Sequence, residues 1–167
     1  MKTLYILRHA KSDWTDFSQS DFDRTLNTRG ECDAPKMGEF LAKKGIKLDR
    51  IIASPAVRAK TTALYAAKGL GYEAERIIFE PNLYLAELKA IRYLVQNQPD
   101  TVETLMIVGH NPGLTEAVNA LSQVQMDELP TAGVFAVQFS TEKWGQISRE
   151  NSKFLFFESP KTIEVYQ

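Results

Sequence analysis

The chain has 167 residues, of which 44% are hydrophobic and 25% charged, and its formal net charge is -1. That size and balance predict a single globular domain over residues 1–167. They exclude a disordered chain and give no electrostatic footprint for nucleic acid or an anionic membrane. Cys32 is the only cysteine, which excludes an internal disulfide framework and a multi-cysteine zinc site and predicts a reducing, cytoplasmic setting.

In chain order, the apolar run 3–7 meets Arg8 and His9 at once. It is too short for a signal segment or a membrane span and predicts a first strand. Thr28 and Glu31 have capping-box spacing before Met37, Phe40 and Leu41, with Gly45 as a stop, which predicts a helix over 29–44. A short strand is expected over 50–53. Ser54-Pro55 then reads as an N-cap with proline at the first helical position, opening a helix that ends at Gly71. Further strands are expected at 76–80, 105–109, 134–139 and 154–157, and further helices at 86–96 and 113–121. The alternation predicts an α/β fold, a three-layer αβα sandwich around a mostly parallel central sheet, with the last two strands at one edge.

Open sheets of this kind bind ligands outside the carboxyl ends of their strands. The polar residues gather there: Arg8-His9 after the first strand, Ser54 and Arg58 after the second, His110-Asn111 after the strand ending at Gly109. Both histidines of the chain are in this set. An arginine placed directly after a buried strand is costly without an anion, and its planar fork matches phosphate or carboxylate. A structural histidine and a surface ion pair are the plainer readings of each residue taken alone.

Four ordered motifs resemble the histidine phosphatase superfamily, the phosphoglycerate mutase-like group. Leu7-Arg8-His9-Ala10 is similar to its Arg-His-Gly signature, with alanine in place of the usual glycine. Residues 23–30, Asp-Arg-Thr-Leu-Asn-Thr-Arg-Gly, resemble its Asp-x-x-Leu-Thr-x-x-Gly segment. Residues 54–62 resemble its Ser-x-x-x-Arg-Ala-x-x-Thr helix start, and Gly109-His110-Asn111-Pro112-Gly113 its second-histidine motif. The short span between Arg58 and His110 is more similar to the small SixA-type phosphohistidine phosphatases than to the mutases.

The resemblance implies a phosphatase in which His9 is the nucleophile and Arg8, Arg58 and His110 bind the phosphoryl oxygens. Ser12, Thr15 and Asn111 are secondary candidates for phosphate binding. Neutral imidazole is a competent nucleophile near pH 7, and arginines can supply the charge stabilisation that Mg²⁺ supplies in kinases. The expected chemistry therefore needs no metal and no cofactor. A zinc site using both histidines and Asp13 is disfavoured by the neighbouring arginines. Glu87 is the one candidate general acid, although a helix N-terminal carboxylate is its plainer reading.

A phosphoramidate bond asks less of an acid than an alkyl ester does, so the expected substrate is protein phosphohistidine, for instance in a histidine phosphotransfer domain. The alternatives are a small phosphorylated metabolite, a mutase reaction, and a noncatalytic phosphate-binding module. Trp14, Phe17 and Phe22, in the loop after His9, are expected to anchor that loop to the core rather than line a cleft.

Overall fold

The computed structural model describes residues 1–165. Six strands, β1 (Lys2–Arg8), β2 (Arg50–Ala53), β3 (Ile78–Phe79), β4 (Thr104–Gly109), β5 (Val134–Phe139) and β6 (Ser152–Glu158), form one sheet in the order β3-β2-β4-β1-β5-β6. β3, β2, β4 and β1 run parallel. β5 pairs antiparallel with β1, and β6 antiparallel with β5, at one edge.

Alternation along β1 sends Tyr5 and Leu7 to one face and Leu4 and Ile6 to the other. The first face packs on α1 (Thr28–Lys43), α2 (Val57–Leu70) and α5 (Pro160–Val165) through Met37, Leu41, Ala63, Ala67 and Ile163. The second is covered by α3 (Leu88–Gln96) and α4 (Gly113–Leu121) through Ile91, Val95, Leu114 and Val118, with the buried Trp144 of a 3₁₀ turn in the same cluster. Two cores on opposite faces of one sheet make the expected three-layer αβα sandwich. Among the described residues, no helix is long and apolar enough to cross a membrane.

Several expected boundaries shift for identifiable reasons. Asn27, not Thr28, caps α1, because the Asn27 Oδ1 accepts from the Gly30 N–H at 2.8 Å. α2 begins at Val57 rather than Pro55, with no side-chain cap. Ser54 lies two residues before the N-cap residue Ala56; its Oγ accepts from the Ala56 N–H at 3.2 Å and lies 2.7 Å from His110 Nε2. The strand expected at 76–80 is reduced to Ile78–Phe79 by a 3₁₀ turn at Ala74–Arg76, and the helix expected at 86–96 begins at Leu88. α5 was not anticipated, although Pro160 at its first position is a recognisable start signal.

Candidate active site

Three parallel strands end level on one rim: Arg8 lies opposite Gly109, and Ala53 opposite Val108. The chain leaving β1 is pinned by backbone bonds. His9 N–H donates to Gly109 O at 3.0 Å, while the Ala132 N–H is shared between the carbonyls of Arg8 and His9, at 3.1 and 3.0 Å. Ala132 has φ 58, a left-handed conformation that costs a non-glycine residue on the order of 1–3 kcal/mol and is held by the surrounding fold. Two motif glycines close the rim by steric necessity. A Cβ on Gly30 would sit 2.1 Å from Lys11 O, and one on Gly113 would sit 2.0 Å from Ala86 O. Ala10, by contrast, is fully buried without a positive φ, so alanine replaces glycine there without strain, and its N–H donates to Thr62 Oγ1 at 3.0 Å.

These strand ends surround a cleft of about 430 Å³ lined by Arg8, His9, Ser12, Arg24, Arg58 and His110, among others. His9 is 7% exposed and His110 3%, with ring centroids 5.3 Å apart. His9 Nδ1 lies 2.7 Å from Ala10 O. A carbonyl can only accept, so Nδ1 carries the proton and Nε2 keeps its lone pair. Burial, reinforced by Arg58, Arg8 and Arg24, pushes the His9 pKa down to about 4. His110 contacts Ser54 Oγ through Nε2 at 2.7 Å and is pushed down to about 3, by burial first and by Arg58 second. Both rings are therefore neutral at pH 7.

The cations are held by backbone and carboxylate oxygens. Arg8 Nη1 donates to Leu129 O at 3.0 Å and to Glu128 Oε1 at 3.2 Å. Arg58, 2% exposed, donates Nη1 to Asp21 O at 2.6 Å and Nη2 to Asp21 Oδ2 at 3.1 Å. Arg24 donates Nη2 to Asp21 Oδ1 at 3.1 Å and Nη1 to Ser12 Oγ, and its guanidinium stacks 3.6 Å from the Trp14 ring centroid. Among the described residues, five buried side-chain polar atoms lack a partner. Four belong to this site: Nε of Arg8, Arg24 and Arg58, and Nδ1 of His110. The three guanidinium Nε–H groups are donors, each costing about 1–3 kcal/mol when buried unpaired, and their clustering around one cleft suits an anion.

The site gathers most of the residues picked from sequence and excludes two. Ser12 and Asn111 line the cleft, although the Asn111 amide is already engaged with Leu129 O at 2.9 Å and with Thr115. Thr15 does not line it. Asp13 captures the Thr15 hydroxyl at 2.6 Å and its N–H at 2.7 Å in a local turn. Glu87 is corrected as well. It is the exposed N-cap residue of α3 and lines a separate groove with Leu88, Arg92 and Glu116. From this segment Leu85 lines the cleft, and Tyr84 backs it: its ring meets His110 edge-on at 5.5 Å and its hydroxyl donates to Asp21 Oδ2.

The loop aromatics do not anchor to the core as expected. Trp14 lines the cleft at 72% exposure, Phe17 is 96% exposed, and Phe22 packs edge-on against Tyr84 at 5.1 Å. Arg24, Asp21 and Tyr84 were missed as site residues. Arg24 lies inside the motif at 23–30, where a third arginine beside a conspicuous loop was the available signal. The two acidic and phenolic partners carried none, since only the folded loop brings them together.

The family model of the histidine phosphatase superfamily (branch 1) matches residues 4–84. A protein of Picosynechococcus that carries no described function is 31% identical over 168 residues, covering 96% of this chain and 98% of its own. A structure of the proposed phosphohistidine phosphatase SixA from Agrobacterium tumefaciens superposes with a TM-score of 0.80 at 24% identity, covering 95% of this chain and 98% of that one. The protein histidine phosphatase SixA complexed with tungstate superposes with a TM-score of 0.81 at 21% identity, covering 96% and 99%. With the four motifs arranged around one cleft, the chain belongs to the histidine phosphatase superfamily.

Proposed function

We propose that the protein is a metal-independent phosphatase whose substrate is protein phosphohistidine and whose reaction passes through a phosphorylated His9. The observation that carries this reading is the His9 tautomer. With Nδ1–H donated to Ala10 O, the lone pair of Nε2 is left for phosphorus inside a cleft flanked by Arg8, Arg24 and Arg58. A pKa of about 4 keeps that lone pair free at neutral pH.

The reaction balances without a general acid when the substrate is a phosphoimidazolium. Nε2 attacks phosphorus, the P–N bond breaks, and its electron pair stays on the departing ring, which leaves as neutral imidazole with its other nitrogen still protonated. Phospho-His9, with Nδ1–H retained, is itself a phosphoimidazolium, so the transfer exchanges like for like. Water then attacks phosphorus, the pair returns to Nε2, and the protons of water remain with phosphate and solvent. The arginines and His110 stabilise the equatorial oxygens in both steps.

An alkyl phosphate would expel an alkoxide, which needs a proton. Among the cleft residues the one carboxyl is Asp21, held well below the usual carboxylate range by Tyr84, Arg24 and Arg58 and therefore ionised. The donor inventory thus favours phosphohistidine over sugar phosphates. The exposed rim residue Trp14 fits a macromolecular substrate better than an enclosed metabolite. The test is a panel of kcat/KM values for a phosphohistidine protein, aryl phosphates and sugar phosphates. Phosphohistidine is expected to exceed sugar phosphates by at least about a hundredfold, the scale of general-acid catalysis. Equal or better turnover of sugar phosphates would overturn the substrate reading.

A further inference from the structure

Asp21 is an anomaly in an anion site. It is the one acidic residue among those lining the cleft, in a ring otherwise built of Arg8, Lys11, Arg24 and Arg58. A carboxylate beside a phosphoryl position repels the group the site must bind, unless it serves the other half of the substrate. Its bonding explains why it stays charged. Arg58 and Tyr84 both donate to Oδ2, while Arg24 alone donates to Oδ1, so Oδ1 retains an unused lone pair.

Depth separates it from the nucleophile. His9 and His110 are 7% and 3% exposed at the floor of the cleft, whereas the Asp21 side chain is 45% exposed at its mouth. A phosphoryl group over His9 would therefore place its leaving group on the Asp21 side, since in-line displacement puts nucleophile and leaving group on opposite faces of phosphorus.

We infer that Asp21 determines leaving-group specificity by accepting a hydrogen bond from the ring N–H of the substrate's phosphoimidazolium. This inference rests on the phosphohistidine reading above and names the residue that recognises that substrate. Its chemistry is the complement of a general acid. The protonated ring is the form that departs as neutral imidazole, and a fixed anion on its N–H favours that form over the unprotonated phosphoimidazole, which would have to leave as an imidazolate. No proton moves during the P–N cleavage; Asp21 holds one where it already is. For an oxygen leaving group, which carries no N–H, the same carboxylate offers only repulsion. Tyr84 and the two arginines position Asp21 for this, and Asp21 in return aligns both guanidiniums.

Asp21→Asn separates the charge of Asp21 from its role in alignment, because the amide oxygen still accepts from an arginine. In that variant the ratio of phosphohistidine to aryl phosphate kcat/KM is expected to fall at least tenfold, while vanadate binds at least as tightly as to the wild type. The basic limb of the kcat profile with phosphohistidine should move to lower pH, because the bound ring has lost its anionic partner. Asp21→Glu, which keeps the charge, should recover part of the ratio. A purely structural Asp21 would weaken phosphohistidine, aryl phosphate and vanadate together and leave the pH limb in place, and that result would overturn the assignment alone. Wild-type enzyme that turns over only phosphate esters would overturn the substrate reading, and this assignment with it.

Discussion

Acidification from pH 7.5 to 5 tests the burial of the two histidines directly. They are the only histidines in the chain, and no other side-chain type ordinarily titrates in that window. Folding lowers the His9 pKa from 6.5 to about 4 and that of His110 from 6.5 to about 3. The unfolded chain therefore binds more protons below pH 6.5, and stability must fall as pH falls, the slope easing only once the folded histidines protonate near pH 4 and 3. Near pH 7.5 the effect is close to zero, and at pH 5 it reaches about 2 kcal/mol per ring, hence up to about 4 kcal/mol in total. Asp21 does not interfere. Its pKa is depressed, so its contribution is present above the ordinary carboxylate value and is lost only as pH falls below that. Urea denaturation followed by far-ultraviolet circular dichroism at pH 7.5, 6 and 5 measures the loss, and the His9→Gln/His110→Gln double variant should abolish it. A wild-type loss below about 1 kcal/mol would refute the claim that both rings are held neutral by burial.

Three substitutions extend the test. Arg58→Lys cannot reproduce the two-point contact with Asp21 and should lower kcat/KM by about a hundredfold or more, measured with any turned-over substrate; activity within threefold would show that the planar fork is dispensable. Gly113→Ala places a Cβ 2.0 Å from Ala86 O and should destabilise the fold by more than about 3 kcal/mol in chemical denaturation. Glu87→Gln alters the separate groove beside α3 and should leave phosphohistidine turnover within twofold; a loss of about a hundredfold would restore it as a general acid.

The sheet and its flanking helices were legible because buried strands such as 50–53 and 105–109 are short apolar runs that stop at polar residues, a signal local to the sequence. Gly30 and Gly113 were likewise visible as motif positions. Their cause was not, since neither needs a positive φ: each makes room for a carbonyl from a distant loop. What sequence could not show is which side chain a connection turns inward. Between Leu83 and Leu88 the sequence singles out Glu87, while the fold brings Tyr84 and Leu85 to the site, because the chain turns at Leu85, at φ 50, before α3 begins. Asp21 was invisible for a related reason. Its partners Arg24, Arg58 and Tyr84 come from three separate segments, and its meaning depends on all three.

The central claim, a covalent phosphoryl group on His9 Nε2, is tested most directly by single-turnover reaction with a ³²P-labelled phosphohistidine protein, quenched in alkali to preserve P–N bonds. The account predicts transient label on His9 that decays as phosphate is released, with none formed by His9→Ala. Label on another residue, or undiminished turnover by His9→Ala, would contradict it.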